Sequence, residues 1–446
     1  MESKRLEIMA PAGNFECLHA AIQGGADSVY FGVEKLNMRS HSANNFRMSD
    51  LKEIVRICTE VGVKTYLTLN IVLYDEDLAD MEKTLDAAKE AGVTAVIASD
   101  MAAIAYARRI GVEVHISTQL SISNAESLRF YAQFADVIVL ARELNLNQVK
   151  AIKEVIDRDR ICGPSGRLVE IEMFAHGALC MAVSGKCYLS LHEYGASANR
   201  GSCYQLCRRA YDVRDRETGA ELTVDNKYIM SPKDLCTIGF MDKITDAGVT
   251  VFKIEGRARS AEYVKRVASC YRRAADAVCE GIYTPELAAR LKEELSEVFN
   301  RGFWDGYYQG ARLGEWSEVY GSKATRRKVY CGKVTNWFGK LGVAEILVES
   351  YSLNVGDRIL IIGPTSGVVE YTVPEIRVDL QPVSKAEKGV FCSIPVDWSK
   401  VVPGAREEVA GLCGDGCSET ACKAIEEERL RRSDKVYIWN TEEKQK

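Results

Sequence analysis

No apolar run in this chain of 446 residues reaches the roughly 18–20 residues that span a bilayer. The opening stretch MESKRLEIMAPAGN also lacks the apolar core of a secretory signal. Both absences point to a soluble protein of the cytoplasm, a reducing compartment. There, 15 cysteines are metal ligands, redox groups or buried thiols rather than a disulfide framework. Strong charge of one sign is missing too, since the formal net charge is only −5. Any nucleic-acid footprint is therefore confined to local basic stretches such as CRRAY, EGRAR and KATRRK. No GxSxG, HExxH or papain-like motif occurs, which removes the simplest signatures of an activated nucleophile or a hydrolytic zinc site. Nor is there a single CxxC pair to announce structural zinc.

What is present is ordinary globular composition, 47% hydrophobic and 27% charged, in a chain long enough for a large barrel with an appendage. Short apolar, β-branched runs recur at 7–13, 28–34, 64–70, 95–100, 113–119, 137–142, 168–177 and 249–256. Between most of them lie segments with apolar residues at helical spacing that end in glycine, such as SDLKEIVRICTEVG and LADMEKTLDAAKEAG. Strands alternating with helices call for a parallel sheet with right-handed crossovers, and eight such units close a (β/α)₈ TIM-type barrel. The expected catalytic barrel covers 1–310. From about 326 the pattern changes to alternating residues around glycine-rich turns, which predicts a small antiparallel β-barrel over 326–400. A charged tail with a short helix follows over 401–446.

Each barrel strand finishes on or just before a polar side chain: Asn14, Glu34, Asn70, Asp100, Gln119, Arg142, His176 and Glu255. In this fold such ends converge on the mouth where active sites sit, although any one of them also reads as a strand entering a polar loop. The alternation breaks between strands seven and eight. There the stretch 178–211 holds Cys180, Cys187, Cys203 and Cys207 among Gly185 and Gly201. Soft thiolates on a flexible loop fit an iron–sulfur cluster or zinc, and free buried thiols are the third reading. Cys236 is an eligible substitute ligand. Cys413, Cys417 and Cys422 in the tail read as bystanders, with an accessory metal site as the sharper alternative.

The run MFAHGALCMAVSGKCYLS, followed by GSCYQLCR, PKDL, FKIEGRARSAEYV and NRGFWDGYY, closely resembles the collagenase-like peptidase family, peptidase family U32. The opening APAGNFECLHAAIQGGADSVYFG extends the likeness over about 6–310. The resemblance implies a four-iron, four-sulfur cluster on Cys180, Cys187, Cys203 and Cys207. It also implies oxygen-independent hydroxylation of an RNA pyrimidine, either a tRNA wobble uridine or a ribosomal RNA cytidine, with prephenate implicated in the pathway. Sister proteins of the family hydroxylate the ubiquinone ring. Carried over residue by residue, it presents Arg39, His115, Gln119, Asn124, Arg257 and Arg259 to substrate, with Glu255 as a catalytic candidate, and the strand-end reading adds Arg142 to the substrate side and His176 to the catalytic candidates. An ion pair between Glu255 and Arg257 that closes the barrel is the purely structural alternative. The expected partners are tRNA or rRNA, met through Arg208, Arg209 and the basic run 326–328, together with an electron-transfer protein. Proteolysis through His176 with Ser184 or Cys180 is one rival reading. An RNA-binding or assembly module with a structural cluster is the other.

Overall fold

The computed structural model describes residues 5–41, 45–209, 211–212, 214–219, 230–310, 314–317, 321–397 and 430–441. Seven strands and six helices alternate first: β1 (Glu7–Pro11), α1 (Phe15–Gln23), β2 (Ser28–Phe31), α2 (Leu51–Glu60), β3 (Lys64–Leu69), α3 (Leu78–Ala91), β4 (Ala95–Ala98), α4 (Met101–Ile110), β5 (Glu113–Ile116), α5 (Ala125–Ala132), β6 (Val137–Val139), α6 (Leu146–Asp159) and β7 (Glu170–Gly177). The cysteine-rich segment follows with a short α7 (Leu189–Tyr194). Then come β8 (Asp234–Cys236), α8 (Met241–Asp246), β9 (Val249–Ile254), α9 (Ala261–Glu280), α10 (Pro285–Ser296) and β10 (Phe303–Trp304).

Strands β1 to β7 pair in order and in parallel, and β9 pairs in parallel with both β7 and β1, so eight parallel strands close the barrel. The expected TIM-type fold is the observed one. The strands are apolar on both faces because one face meets the helices and the other fills the barrel. Met9, Tyr30, Tyr66, Ala95, Ile97, Val137 and Val251 form the inner layer. Local chemistry sets the helix ends. Asn14, Asp100 and Asn124 cap α1, α4 and α5 by accepting backbone N–H bonds, and Gly92 and Gly111 end α3 and α4 in the left-handed region. The antiparallel three-residue β8 and two-residue β10 extend the sheet beside the end of β7, an addition not expected from the sequence.

The C-terminal unit comprises β11 (Arg326–Phe338), β12 (Val343–Val348), β13 (Leu353–Asn354), β14 (Arg358–Gly363), β15 (Gly367–Thr372), β16 (Ile376–Val378), β17 (Gln381–Val383), β18 (Lys385–Ala386), β19 (Phe391–Pro395) and β20 (Lys435–Thr441). Eight of these strands form an antiparallel sheet in the order β15-β14-β20-β11-β12-β19-β16-β17, curled round one core. The expected boundary at 400 is corrected here. β20 comes from the segment expected to be a charged tail, yet lies centrally between β14 and β11. The short helix expected in that tail, and Cys413, Cys417 and Cys422, lie outside the described residues. The unit docks on α1 and α9: Lys265 Nζ donates to Val368 O at 3.0 Å, and Gln23 Nε2 donates to Ser366 O at 3.0 Å. Among the described residues no helix is long and apolar enough to cross a membrane.

Candidate active site at the barrel mouth

At the C-terminal ends of the strands lies a cavity of about 890 Å³. The segment after β7 forms much of its wall and is held by bonds to the barrel loops. Arg200 Nη1 reaches Asp77 at 2.6 Å and Val72 O at 3.0 Å, with its guanidinium over the Tyr74 ring. Gly201 sits at φ +88°, and a Cβ there would come within 2.0 Å of Ser40 Oγ. Only glycine allows the chain to approach so closely in that conformation. Arg208 turns inward, donating to Leu179 O at 2.6 Å, Pro232 O at 2.7 Å and Ser231 Oγ at 2.9 Å. It clamps the loop, so its expected role as a surface RNA contact is corrected.

Cys180, Cys187, Cys203 and Cys207 all line this cavity, and Cys236 does not. Burial, together with the neighbouring Cys180, Cys203 and Cys187, raises the Cys207 thiol pKa against the pull of Arg208. Cys207 therefore stands near the other three thiols. Among the described residues no three His, Cys, Asp or Glu groups converge closely enough for a single metal ion. Arg39 and Arg208 stand close enough to couple to the charge of these thiols. Cys236 is sealed in the core beside Tyr271, and burial lifts its thiol to about 11.

Cations line the cavity on both the cysteine-rich segment and the barrel strands. The lining includes Arg39, Arg142, Lys186, Arg208, Lys253, Arg257, Arg259 and Arg301 but one carboxylate, Glu255. Glu255 pairs with Arg39 at 2.8 Å. Burial works to raise its pKa, and Arg39 and Arg142 outweigh that, so the net direction is down. The expected Glu255–Arg257 pair is not the one formed. Arg257 instead donates to Asn37 Oδ1 at 2.7 Å and Thr68 Oγ1 at 3.2 Å, and burial brings it down to about 10. Arg142 lies over the Phe174 ring and donates to Ala178 O, while its Nε has no hydrogen-bond partner. Arg259 lies over Phe299. Gln119 lines the cavity with its buried Oε1 unpartnered.

Three expected site residues lie elsewhere. His176 is buried among Tyr263, Tyr271 and Phe303, where burial depresses its pKa to about 3. The β7–β9 register shifts between Phe174 and His176, and that irregularity breaks the alternation that would have turned the ring to the mouth. His115 lies inside the barrel nearer its N-terminal end, against Tyr66, whose hydroxyl bonds Glu7 at the start of β1. Asn124 is exposed and spends its carbonyl on the α5 cap. Of the eight strand-end polar residues, Asn70, Gln119, Arg142 and Glu255 line the cavity. Lys253 and Arg301 were missed in the sequence, and the available signal was a lysine interrupting the apolar run VFKIEG. The basic run 326–328 is largely neutralised, Arg326 by Glu297 and Lys328 by Glu262.

A protein named collagenase from Porphyromonas gingivalis is 62% identical over 89% of this chain and 96% of its own length. The tRNA hydroxylation protein P1 of Bacillus subtilis is 33% identical, covering 84% of this chain and 87% of its own. The 23S rRNA 5-hydroxycytidine C2501 synthase of Escherichia coli is 34% identical over 83% of this chain and 56% of its own length. The model of peptidase family U32 matches residues 13–318. With most of the barrel and the whole cysteine-lined mouth inside that match, the chain belongs to peptidase family U32.

Proposed function

We propose that this protein hydroxylates an RNA pyrimidine without molecular oxygen. In this reading Cys180, Cys187, Cys203 and Cys207 hold a four-iron, four-sulfur cluster, and the hydroxyl oxygen comes from an organic donor of the prephenate kind. The observation that carries the reading is that one cavity is lined both by the four thiols and by Arg142, Arg257 and Arg259, which form no ion pair with a carboxylate among the described residues, whereas Arg39, Lys253 and Arg301 are paired with Glu255, Glu172 and Asp234. A cluster held there supplies one-electron chemistry. The chain's own residues do the rest. Arg39 holds Glu255 ionised at the end of β9, where the carboxylate is placed to accept a proton from substrate. Arg142, Arg257 and Arg259 offer planar donors to the carboxylates of a donor molecule or to phosphate. The names of the relatives from Bacillus subtilis and Escherichia coli support an RNA substrate.

The name of the Porphyromonas gingivalis relative favours a second reading, peptide hydrolysis. Among the described residues no serine or cysteine is hydrogen-bonded to a histidine, and a cation-rich cavity has no evident task on a neutral peptide backbone. Mass spectrometry of nucleosides from cells with and without the gene, alongside a gelatin cleavage assay on the purified protein, separates the two. The proposal requires a hydroxylated pyrimidine to vanish on deletion. Intact nucleosides with gelatin cleavage that depends on Ser184 or His176 would establish the peptidase.

A further inference from the structure

The cysteine-rich segment carries a second feature that runs from the cavity rim outward. Of the large hydrophobic side chains exposed among the described residues, eight fall between Met181 and Tyr211. Apolar groups so concentrated on a surface mark a binding face. Four are tyrosines, of which Tyr188 is 71% exposed, Tyr204 54% and Tyr194 49%. Tyr188 itself lines the cavity, and Tyr194 stands at the far end of α7, so the rings lead outward from the mouth. Tyr194 and Tyr204 meet edge to face, with centroids 5.3 Å apart. The backbone N–H of Tyr204 is fixed by Ser190 Oγ at 3.0 Å.

Charge distinguishes the partners such a face could take. The stretch 178–211 holds Lys186, Arg200, Arg208 and Arg209 against the single carboxylate Glu193, in a chain whose net charge is −5. Arg200 and Arg208 are committed to Asp77 and to backbone carbonyls. Arg209 is exposed and has no carboxylate partner among the described residues. It lies 5.6 Å from the Tyr194 ring centroid and donates to the Tyr194 hydroxyl at 2.9 Å. Exposed rings with an adjoining unpaired guanidinium are what single-stranded RNA needs, because unpaired bases stack on the rings while the cation meets phosphate.

We propose that Tyr188, Tyr194 and Tyr204, with Arg209, form a stacking platform for the unpaired nucleotides beside the target pyrimidine, guiding an RNA loop rather than a duplex into the cavity. This rests on the RNA reading above and adds where the RNA is gripped and what shape it has. The platform also explains how an acidic chain binds RNA without a broad basic surface.

Fluorescence anisotropy on the full-length, anaerobically purified protein tests it. The probes are a labelled RNA hairpin with a pyrimidine-rich loop, the fully paired duplex of the same loop sequence, and a denatured collagen peptide. The hairpin is expected to bind tighter than the duplex. Tyr194→Ala with Tyr204→Ala weakens hairpin binding by about tenfold per ring, and the two Leu replacements, apolar without a ring face, do not restore it. Arg209→Gln weakens binding and flattens its salt dependence. Unchanged thermal unfolding of these surface variants keeps the comparison valid. Equal affinity for hairpin and duplex, hairpin binding untouched by the Ala pair, or preferential binding of the collagen peptide through the same tyrosines would overturn the platform. Nucleoside profiles of deletion cells keep the two ideas apart. Lost hydroxylation with an inert platform sinks only this inference, and loop binding through the platform with unchanged nucleosides sinks only the hydroxylation reading.

Discussion

Lys253→Met removes one member of a buried ion pair inside the barrel. Lys253 Nζ lies 2.6 Å from Glu172 Oε1, with the two side chains 6% and 0% exposed. The other carboxylate oxygen, Glu172 Oε2, has no hydrogen-bond partner, so the ammonium is its main compensation. Nζ also stands 4.9 Å from the Tyr30 ring centroid and 5.5 Å from that of Phe174. Removing one member of a buried pair costs about 3–5 kcal/mol, because the remaining charge stays desolvated. Losing the ring contacts adds about 1 kcal/mol. Against a domain stability on the order of 5–15 kcal/mol, that is a large fraction. Removing both charges, with Lys253→Met and Glu172→Leu together, leaves no stranded ion and is expected to recover most of the loss. Urea unfolding followed by far-ultraviolet circular dichroism reads this well, because every described α-helix belongs to the barrel unit. A double variant no more stable than Lys253→Met alone would refute the claim that the two groups depend on each other as a pair.

The other predictions concern the surroundings of the mouth. His176 is held down to about 3 by burial, whereas an unfolded histidine titrates near about 6.5. The unfolded chain therefore takes up the proton first, so this group's share of stability is intact above about pH 6.5 and falls by about 1.4 kcal/mol per pH unit below it. His176→Phe should flatten that acid slope, measured as urea midpoints across pH, and an unaltered slope would contradict the burial. Gly201→Ala places a Cβ 2.0 Å from Ser40 Oγ at a left-handed φ. It should loosen the cysteine-rich loop by about 1–3 kcal/mol, seen as faster limited proteolysis within 178–209 while the barrel core resists. Arg326→Gln and Lys328→Gln should leave RNA affinity and its salt dependence nearly unchanged, because Glu297 and Glu262 already neutralise these cations.

The barrel was legible because parallel strands buried on both faces read as apolar runs, and the helices between them carry their own caps and glycine stops. What escaped was short or interrupted. β8 has three residues, too few for a pattern, and β20 follows a charged stretch that obscured KVYIWNT. In the site, the four cysteines were legible from their crowding in one loop. The histidines were not, because a residue's place in a strand fixes neither its side nor its depth. A register shift turned His176 out of the barrel, and His115 entered it near the N-terminal end. Arg208 looked like a surface cation because nothing in CRRAY reveals the three acceptors waiting for it. Lys253 was hidden for the opposite reason, since its carboxylate partner lies 81 residues away on β7.

The central claim is that Cys180, Cys187, Cys203 and Cys207 act as one ligand set at the barrel mouth. Iron and acid-labile sulfide counted on anaerobically purified protein test it most directly. The account predicts about four of each per chain, lost when any one of the four cysteines is replaced by alanine and retained in Cys236→Ala. Stoichiometric zinc without iron, or a cluster that survives loss of the quartet and disappears with Cys236, would contradict it.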